Sequence, residues 1–342
     1  MKKESVSTFI KVVISLGLMA FLFYRFLSDP AEREILFNYL AGANYWYLLA
    51  ALALFVLAII VNAVKWYILL RAQGVPVPLM ALINYTFVGF FFNNFLPANV
   101  GGDVIRGFGV ARYTDRGADA AVSVIVDRII GLMGYMFSAV VAALVVVNIL
   151  MRGGSLGTMA VNESLAQNMA QVQIIAVIGL IAMVGGFALV LSHRLRALIG
   201  RIFNWKFLKP LAPLYGRLSD AFGAYRYQYM ALLWAFLLGV ANILLTSLVD
   251  IAIVAGLHGY IPPVYIFLFN PIIAVILIVP ISIGGLGAMS ALYVYFYGLV
   301  GVPETLAFAL SLVKQAIIYL GSLPGGVLWL RKQQHSGEQS SG

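Results

Sequence analysis

The chain has 342 residues, of which 62% are hydrophobic and only 10% charged, with a mean hydropathy of +0.96. A soluble domain carries roughly 25% charged residues, so this composition is that of a membrane protein with no room for a separate soluble catalytic domain. With no cysteine there are no disulfides or thiolate metal sites, three scattered histidines (His193, His258, His335) suggest no metal, and the +9 net charge is distributed for membrane orientation and not for nucleic acid.

A spanning helix needs roughly 20 mostly apolar residues. The opening "MKKESVSTFIKVVISLGLMAFLFYRFL" sets basic residues before an apolar run, as a signal peptide does. Lys11 interrupts it early, the run is long, and no small-residue cleavage site follows, so it reads as a retained first span at about 7–27. Segment 28–43 is acidic, with Asp29, Glu32 and Glu34 against Arg33. A second span, 45–70, opens on the interfacial aromatics Tyr45, Trp46 and Tyr47, and Lys65 and Arg71 near its far end read as interface anchors.

The apolar stretch 79–97 then runs into "NNFLPANVGGDVIRG", Asn93 to Gly107, a mixture that no lipid-facing helix tolerates. Spans at 121–150 and 172–192 follow. Segment 193–228 carries Arg194, Arg196, Arg201, Lys206, Lys209, Arg217 and Arg226 against Asp220, with aromatics interleaved. It reads as a helix on an anionic inner leaflet. A span at 229–257, an apolar stretch at 263–299 broken by "VPISIGGLGAMS", and a span at 304–330 complete a single transmembrane domain, 1–332. The polar, low-complexity segment 333–342 reads as a disordered tail.

Basic loops stay on the cytoplasmic side. Segment 193–228 is then inside and segment 28–43 outside, while Lys2 and Lys3 put the N-terminus inside and Arg331 and Lys332 the C-terminus. Helix 45–70 must descend and 121–150 must rise, so 79–118 begins and ends inside. By the same argument 263–299 begins and ends outside. The expectation is an all-α polytopic protein with six spans and two re-entrant hairpins entering from opposite faces.

The hairpins share P-x-x-x-G-G at their breaks, "PANVGG" from Pro97 and "PISIGG" from Pro280, each after an aromatic–Asn stretch. Equivalent breaks in two units of opposite orientation are what an inverted repeat produces, and such repeats are a transporter architecture. Chance similarity of glycine-rich breaks is the alternative. Pro97 removes a donor, and Gly101 and Gly102 permit positive φ, so a sharp turn is expected there. A helix starting near Asp103 aims its positive end at that turn, a natural anion site to which Arg106 can add a bidentate contact. The plainer alternative is an interfacial Asp103–Arg106 pair holding a cytoplasmic turn.

Charges inside the bilayer cost at least ~2.5–3.5 kcal/mol on insertion scales, so each needs a reason. Asp127 and Arg128 point about 100° apart on their helix and cannot simply neutralise each other, which makes Asp103 a plausible partner for Arg128. Lys314 has no acid within four residues on its own helix. It is either a structural partner of Asp250 or a cation on a substrate path.

These motifs resemble one family. The segment "NNFLPANVGGDVIRG", then "VDRIIGL" (Val126 to Leu132), then "PISIGGLG", then a basic residue before "YLGSLPGG" is similar to the lysylphosphatidylglycerol synthase transmembrane, or flippase-like, family over about 10–330. That resemblance implies translocation of lipids, from lysyl-phosphatidylglycerol to hopanoids and polyprenyl-linked glycans. Its motif positions fall on Asn94, Pro97, Gly101, Gly102, Asp103, Arg106, Asp127, Arg128, Pro280, Gly285, Gly287 and Lys314, with Gly284 inside the second break. Two departures bear on headgroup preference. Ser290 stands where a glutamate is common, and Lys314 where arginine is common.

The expected activity is a lipid flippase in a bacterial inner membrane. Arg106, Arg128 and Lys314 would meet an anionic phosphate headgroup, Asp103 and Asp127 would orient them, and the breaks would let the hairpins move. No ATPase motif, cofactor or metal is implied. Membrane lipids are the expected partners, with a homo-oligomer or a glycosyltransferase as further ones. The rival readings are an accessory scaffold for a glycosyltransferase and a membrane enzyme acting on lipid phosphates.

Overall fold

The computed structural model describes residues 2–96, 101–151, 163–202, 212–279 and 282–338, and every regular element among them is a helix. Among the described residues, five stretches are long and apolar enough to cross a membrane. They lie in α1 (Lys2–Ser28), α3 (Tyr45–Ala72), α6 (Gly117–Met151), α10 (Tyr229–Gly256) and α13 (Glu304–Glu338). The expected span at 172–192 falls on α7 (Glu163–Leu191), where Val177–Leu191 forms a shorter apolar run. The chain is an all-α polytopic membrane fold.

Four short helices occupy the two predicted hairpins. They are α4 (Leu79–Asn93), α5 (Gly101–Thr114), α11 (Pro263–Ile276) and α12 (Ala288–Gly298), with 15, 14, 14 and 11 residues. At 1.5 Å per residue they reach only about 16–23 Å, short of a ~30 Å hydrocarbon core. Each is too short to cross by itself. The helices of each pair pack on each other, α4 on α5 and α11 on α12.

The long helices place these hairpins at opposite ends. Helices α3 and α10 pack along one another, and the N-terminus of α3 meets the C-terminus of α10 where the Asn44 N–H donates to Gly256 O at 2.8 Å. They are therefore antiparallel, and the hairpins that follow them start from opposite ends of the bundle. The packing is reciprocal, with α4 lying on α13 and α11 on α6. This exchange is what an inverted repeat of α3–α6 with α10–α13 requires.

Glycine makes the closest approaches. A Cβ on Gly102 would stand 1.9 Å from Gly89 O, and one on Gly325 would stand 2.1 Å from Phe87 O, so α4 is pressed between α5 and α13. At the second hairpin Gly284, Gly285 and Gly287 have φ of +58°, +75° and +75°, the left-handed turn expected of a break. The tips meet: a Cβ on Gly284 would lie 2.5 Å from the Asn94 carbonyl oxygen. Helix α1, outside the repeat, caps the second tip through Ser15 Oγ, which accepts from the Ile283 N–H at 2.8 Å.

Four expectations change. Gly101 and Gly102 form no left-handed turn: both open helix α5, and Gly102 is needed for the Gly89 contact instead. Segment 28–43 holds a helix, α2 (Pro30–Ala41), started by Asp29 accepting from the Ala31 N–H at 2.9 Å and by Pro30 at the first position. The described residues of the basic segment form α8 (His193–Ile202) and α9 (Ala212–Gly223) where one helix was expected. Helix α13 continues to Glu338, past the 333 at which the tail was expected to begin, because "RKQQ" are good helix formers. Pro97 and Pro280 lie outside the described residues.

Candidate functional site

Buried charge in this bundle gathers in two places. In the first half, Lys65 of α3 places Nζ 3.0 Å from Asp127 Oδ1 on α6, and Arg106 of α5 places Nη2 2.7 Å from Asp127 Oδ2. Arg106 Nε lies 2.9 Å from Asp103 Oδ1, one turn back on α5, and Arg128 pairs with Asp103 through Oδ2. The result is an unbroken chain, Lys65–Asp127–Arg106–Asp103–Arg128. Among the described residues it joins three cations to two acids.

The guanidinium of Arg106 is the centre of this chain. It lies 4.8 Å from the centroid of the Trp66 ring, whose Nε1 is fixed by Ser123 Oγ at 3.0 Å. Arg106 is only 3% exposed, and among the described residues its Nη1 meets no hydrogen-bond acceptor. A buried guanidinium donor without an acceptor is costly in a protein interior. Arg128 is the accessible end, with 34% of its side chain exposed.

In the second half, Lys314 of α13 sets Nζ 2.8 Å from Asp250 Oδ1 and 2.9 Å from Oδ2 on α10. It also donates to Asn270 Oδ1 at 3.0 Å and to the Tyr293 hydroxyl at 2.5 Å, and that hydroxyl donates to Asp250 Oδ2 at 2.8 Å. Of the two roles open to Lys314, the pair with Asp250 is present. It does not exclude the other role, because Lys314 also faces the cavity described next.

A cavity of about 310 Å³ lies between the hairpins, and both charge groups border it. Of the predicted site residues, Asn94, Asp103, Arg106, Asp127, Arg128, Gly284, Gly285 and Lys314 line it together. Gly101, Gly102 and Gly287 do not. The N–H of Gly102, expected to face an anion, donates to Asn93 Oδ1 at 2.8 Å. The helix end is thus partly capped, and the anion-attracting groups are side chains. Asn94 donates from Nδ2 to Ser322 Oγ at 2.7 Å, bracing the first tip against α13.

Sequence reasoning missed Lys65. It was expected to anchor at an interface, yet it is 5% exposed and paired with a buried carboxylate. A signal existed in the helix register. Lys65 stands twenty residues after the first residue of α3, and Asp250 twenty-one after that of α10. Asp127 and Lys314 each stand ten residues after the first residue of α6 and α13. The two halves therefore place one cation–acid pair at equivalent positions with the signs exchanged.

Comparison with known proteins follows this geometry. The model of the lysylphosphatidylglycerol synthase TM region matches residues 8–325. The UPF0104 membrane protein PH1989 of Pyrococcus horikoshii is similar at 22% identity over 326 residues, 89% of this chain and 91% of that protein. No solved structure matches.

Proposed function

This chain belongs to the lysylphosphatidylglycerol synthase transmembrane family, and on that premise we propose that it moves an anionic, phosphate-bearing lipid across the membrane through the cavity between its hairpins. The observation that carries the reading is the buried Arg106 Nη1, without an acceptor among the described residues, in a cation-rich cluster at the wall of that cavity. A phosphate oxygen supplies that acceptor in a charge-assisted contact. The acyl or prenyl chains would stay in the bilayer while the headgroup passes between the tips.

In this reading Arg106 and Arg128 receive the phosphate from one side and Lys314 from the other, with Asp103 and Asp127 holding the guanidinium planes in place. The close contact of Gly284 with Asn94 is the barrier the headgroup must cross, and rocking of one half against the other alternates its exposure. The proposed placement is the bacterial inner membrane, with both termini cytoplasmic. The rival role as a glycosyltransferase scaffold needs none of the intramembrane charges.

The test is reconstitution into phosphatidylcholine vesicles with a fluorescent phosphatidylglycerol in one leaflet. Wild-type protein is expected to move the probe. Arg106→Ala is expected to lose at least about tenfold in rate, the effect of about 1.4 kcal/mol of lost headgroup interaction. Both acids keep a cation in that variant, Lys65 for Asp127 and Arg128 for Asp103. Undiminished movement by Arg106→Ala, or none by the wild type, contradicts the reading.

A further inference from the structure

The two cation–acid pairs occupy equivalent places but are not equally secured. Asp127 has two cations, Lys65 on one oxygen and Arg106 on the other. If a substrate draws one away, the carboxylate keeps the second. Among the described residues Asp250 has one cation, Lys314, and the neutral phenol of Tyr293. The other titratable group bearing on it is Tyr297, also on α12. Among the described residues no ion pair joins Asp250 to α3, α6 or α11, the remaining helices packed on α10.

Burial sharpens the difference. Asp250 is fully buried and does not line the cavity, whereas Lys314 and Tyr293 do. The three N–H bonds of the Lys314 ammonium are already taken up by Asp250, Asn270 and Tyr293. A phosphate that engages Lys314 from the cavity must therefore displace an existing acceptor, and only Asp250 competes with it as an anion. A buried carboxylate that loses its cation is strongly unfavourable, and binding a proton relieves it. Tyr293 connects it to the cavity, since the hydroxyl that donates to Asp250 belongs to a cavity-lining residue.

We propose that the lipid phosphate takes Lys314 from Asp250 and that Asp250 takes up one proton in exchange, so that lipid and proton cross together. This rests on the transport reading above. The charges balance. The ammonium stays protonated and passes from carboxylate to phosphate, and the carboxylate becomes a carboxylic acid by binding one proton from the aqueous cavity. Release of the lipid at the other face returns Lys314 to Asp250 and expels that proton. A phosphodiester with one negative charge, moving with one proton, makes the step electroneutral. The favoured substrate class is thus a lipid with a singly charged phosphodiester headgroup.

The experiment uses the full chain in phosphatidylcholine vesicles containing fluorescent phosphatidylglycerol, with a pH gradient or a potassium diffusion potential imposed, and protein-free vesicles as the baseline. In the wild type the probe gathers in the leaflet facing the alkaline side, about tenfold per pH unit for a coupling of one proton to one lipid. The diffusion potential leaves its distribution unchanged. Asp250→Asn keeps the shape of the site but has no carboxylate to protonate, so whatever probe it moves shows no pH-driven asymmetry. Wild-type transport whose leaflet ratio ignores the pH gradient overturns the proton exchange and leaves the transport reading standing. Asymmetry retained in Asp250→Asn also overturns it. A wild type that moves no probe overturns both. The wild-type arm decides by itself, so the proposal stays exposed even where the variant does not fold.

Discussion

At the residue scale, the charged side chains make sense only as partners. Removing one member of a buried ion pair leaves an uncompensated charge and costs about 3–5 kcal/mol. Asp127→Ala removes the shared acid and leaves Lys65 and Arg106 facing each other, both buried. It is expected to lower stability by about that amount, read as a fall in melting temperature of the purified protein in detergent. Lys65→Met leaves Asp127 with Arg106 and should cost clearly less. Equal losses would mean that the chain of pairs does not act as a unit. Lys65 also shows why the sequence was a partial guide here. Position along a helix measures distance from an interface, but it does not say that a carboxylate waits on α6. For Asp103 with Arg128 the argument from helical angles was enough, and for Lys314 it left two roles open because Asp250 lies on another helix.

At the element scale, the interruption of both apolar stretches was legible because prolines and glycines break runs that otherwise read as helix. The expected hairpins, 79–118 and 263–299, contain the four short helices found. The matched P-x-x-x-G-G breaks were less informative than they looked. Gly284 and Gly285 take the left-handed conformation, while Gly101 and Gly102 are helical and Gly102 serves a close backbone approach. The same two letters thus answer two steric demands, and no local pattern separates them. Acidic composition marked the side of segment 28–43 but said nothing of helix α2, although the Asp29–Pro30 start signal is present. The prediction belonging to this scale is steric. Gly102→Ala must push α5 from α4, since its Cβ would sit 1.9 Å from Gly89 O. Gly185→Ala, with nothing within 4 Å, should be neutral or slightly stabilising. Yield and melting temperature of the two variants check this, and equal behaviour would refute the close-packed hairpin.

At the scale of the whole molecule, the inverted repeat turns two local pairs into one design. Asp127 and Lys314 each lie about 15 Å along their helices from opposite ends of the bundle, ten residues at 1.5 Å each. Their cavity is bounded by both hairpins, and Lys65, Arg106 and Arg128 line one side of it. The sequence displayed the repeat through its glycine breaks, but the exchanged signs of the pairs hid their equivalence, since like residues do not align. The central claim is that a lipid phosphate occupies this cavity against Arg106. A density map of the protein in nanodiscs of phosphatidylcholine and phosphatidylglycerol tests it most directly. The account predicts phosphate density between the hairpin tips, about 3 Å from Arg106 Nη1. Lipids resolved around the bundle, with no phosphate in the cavity, would contradict it.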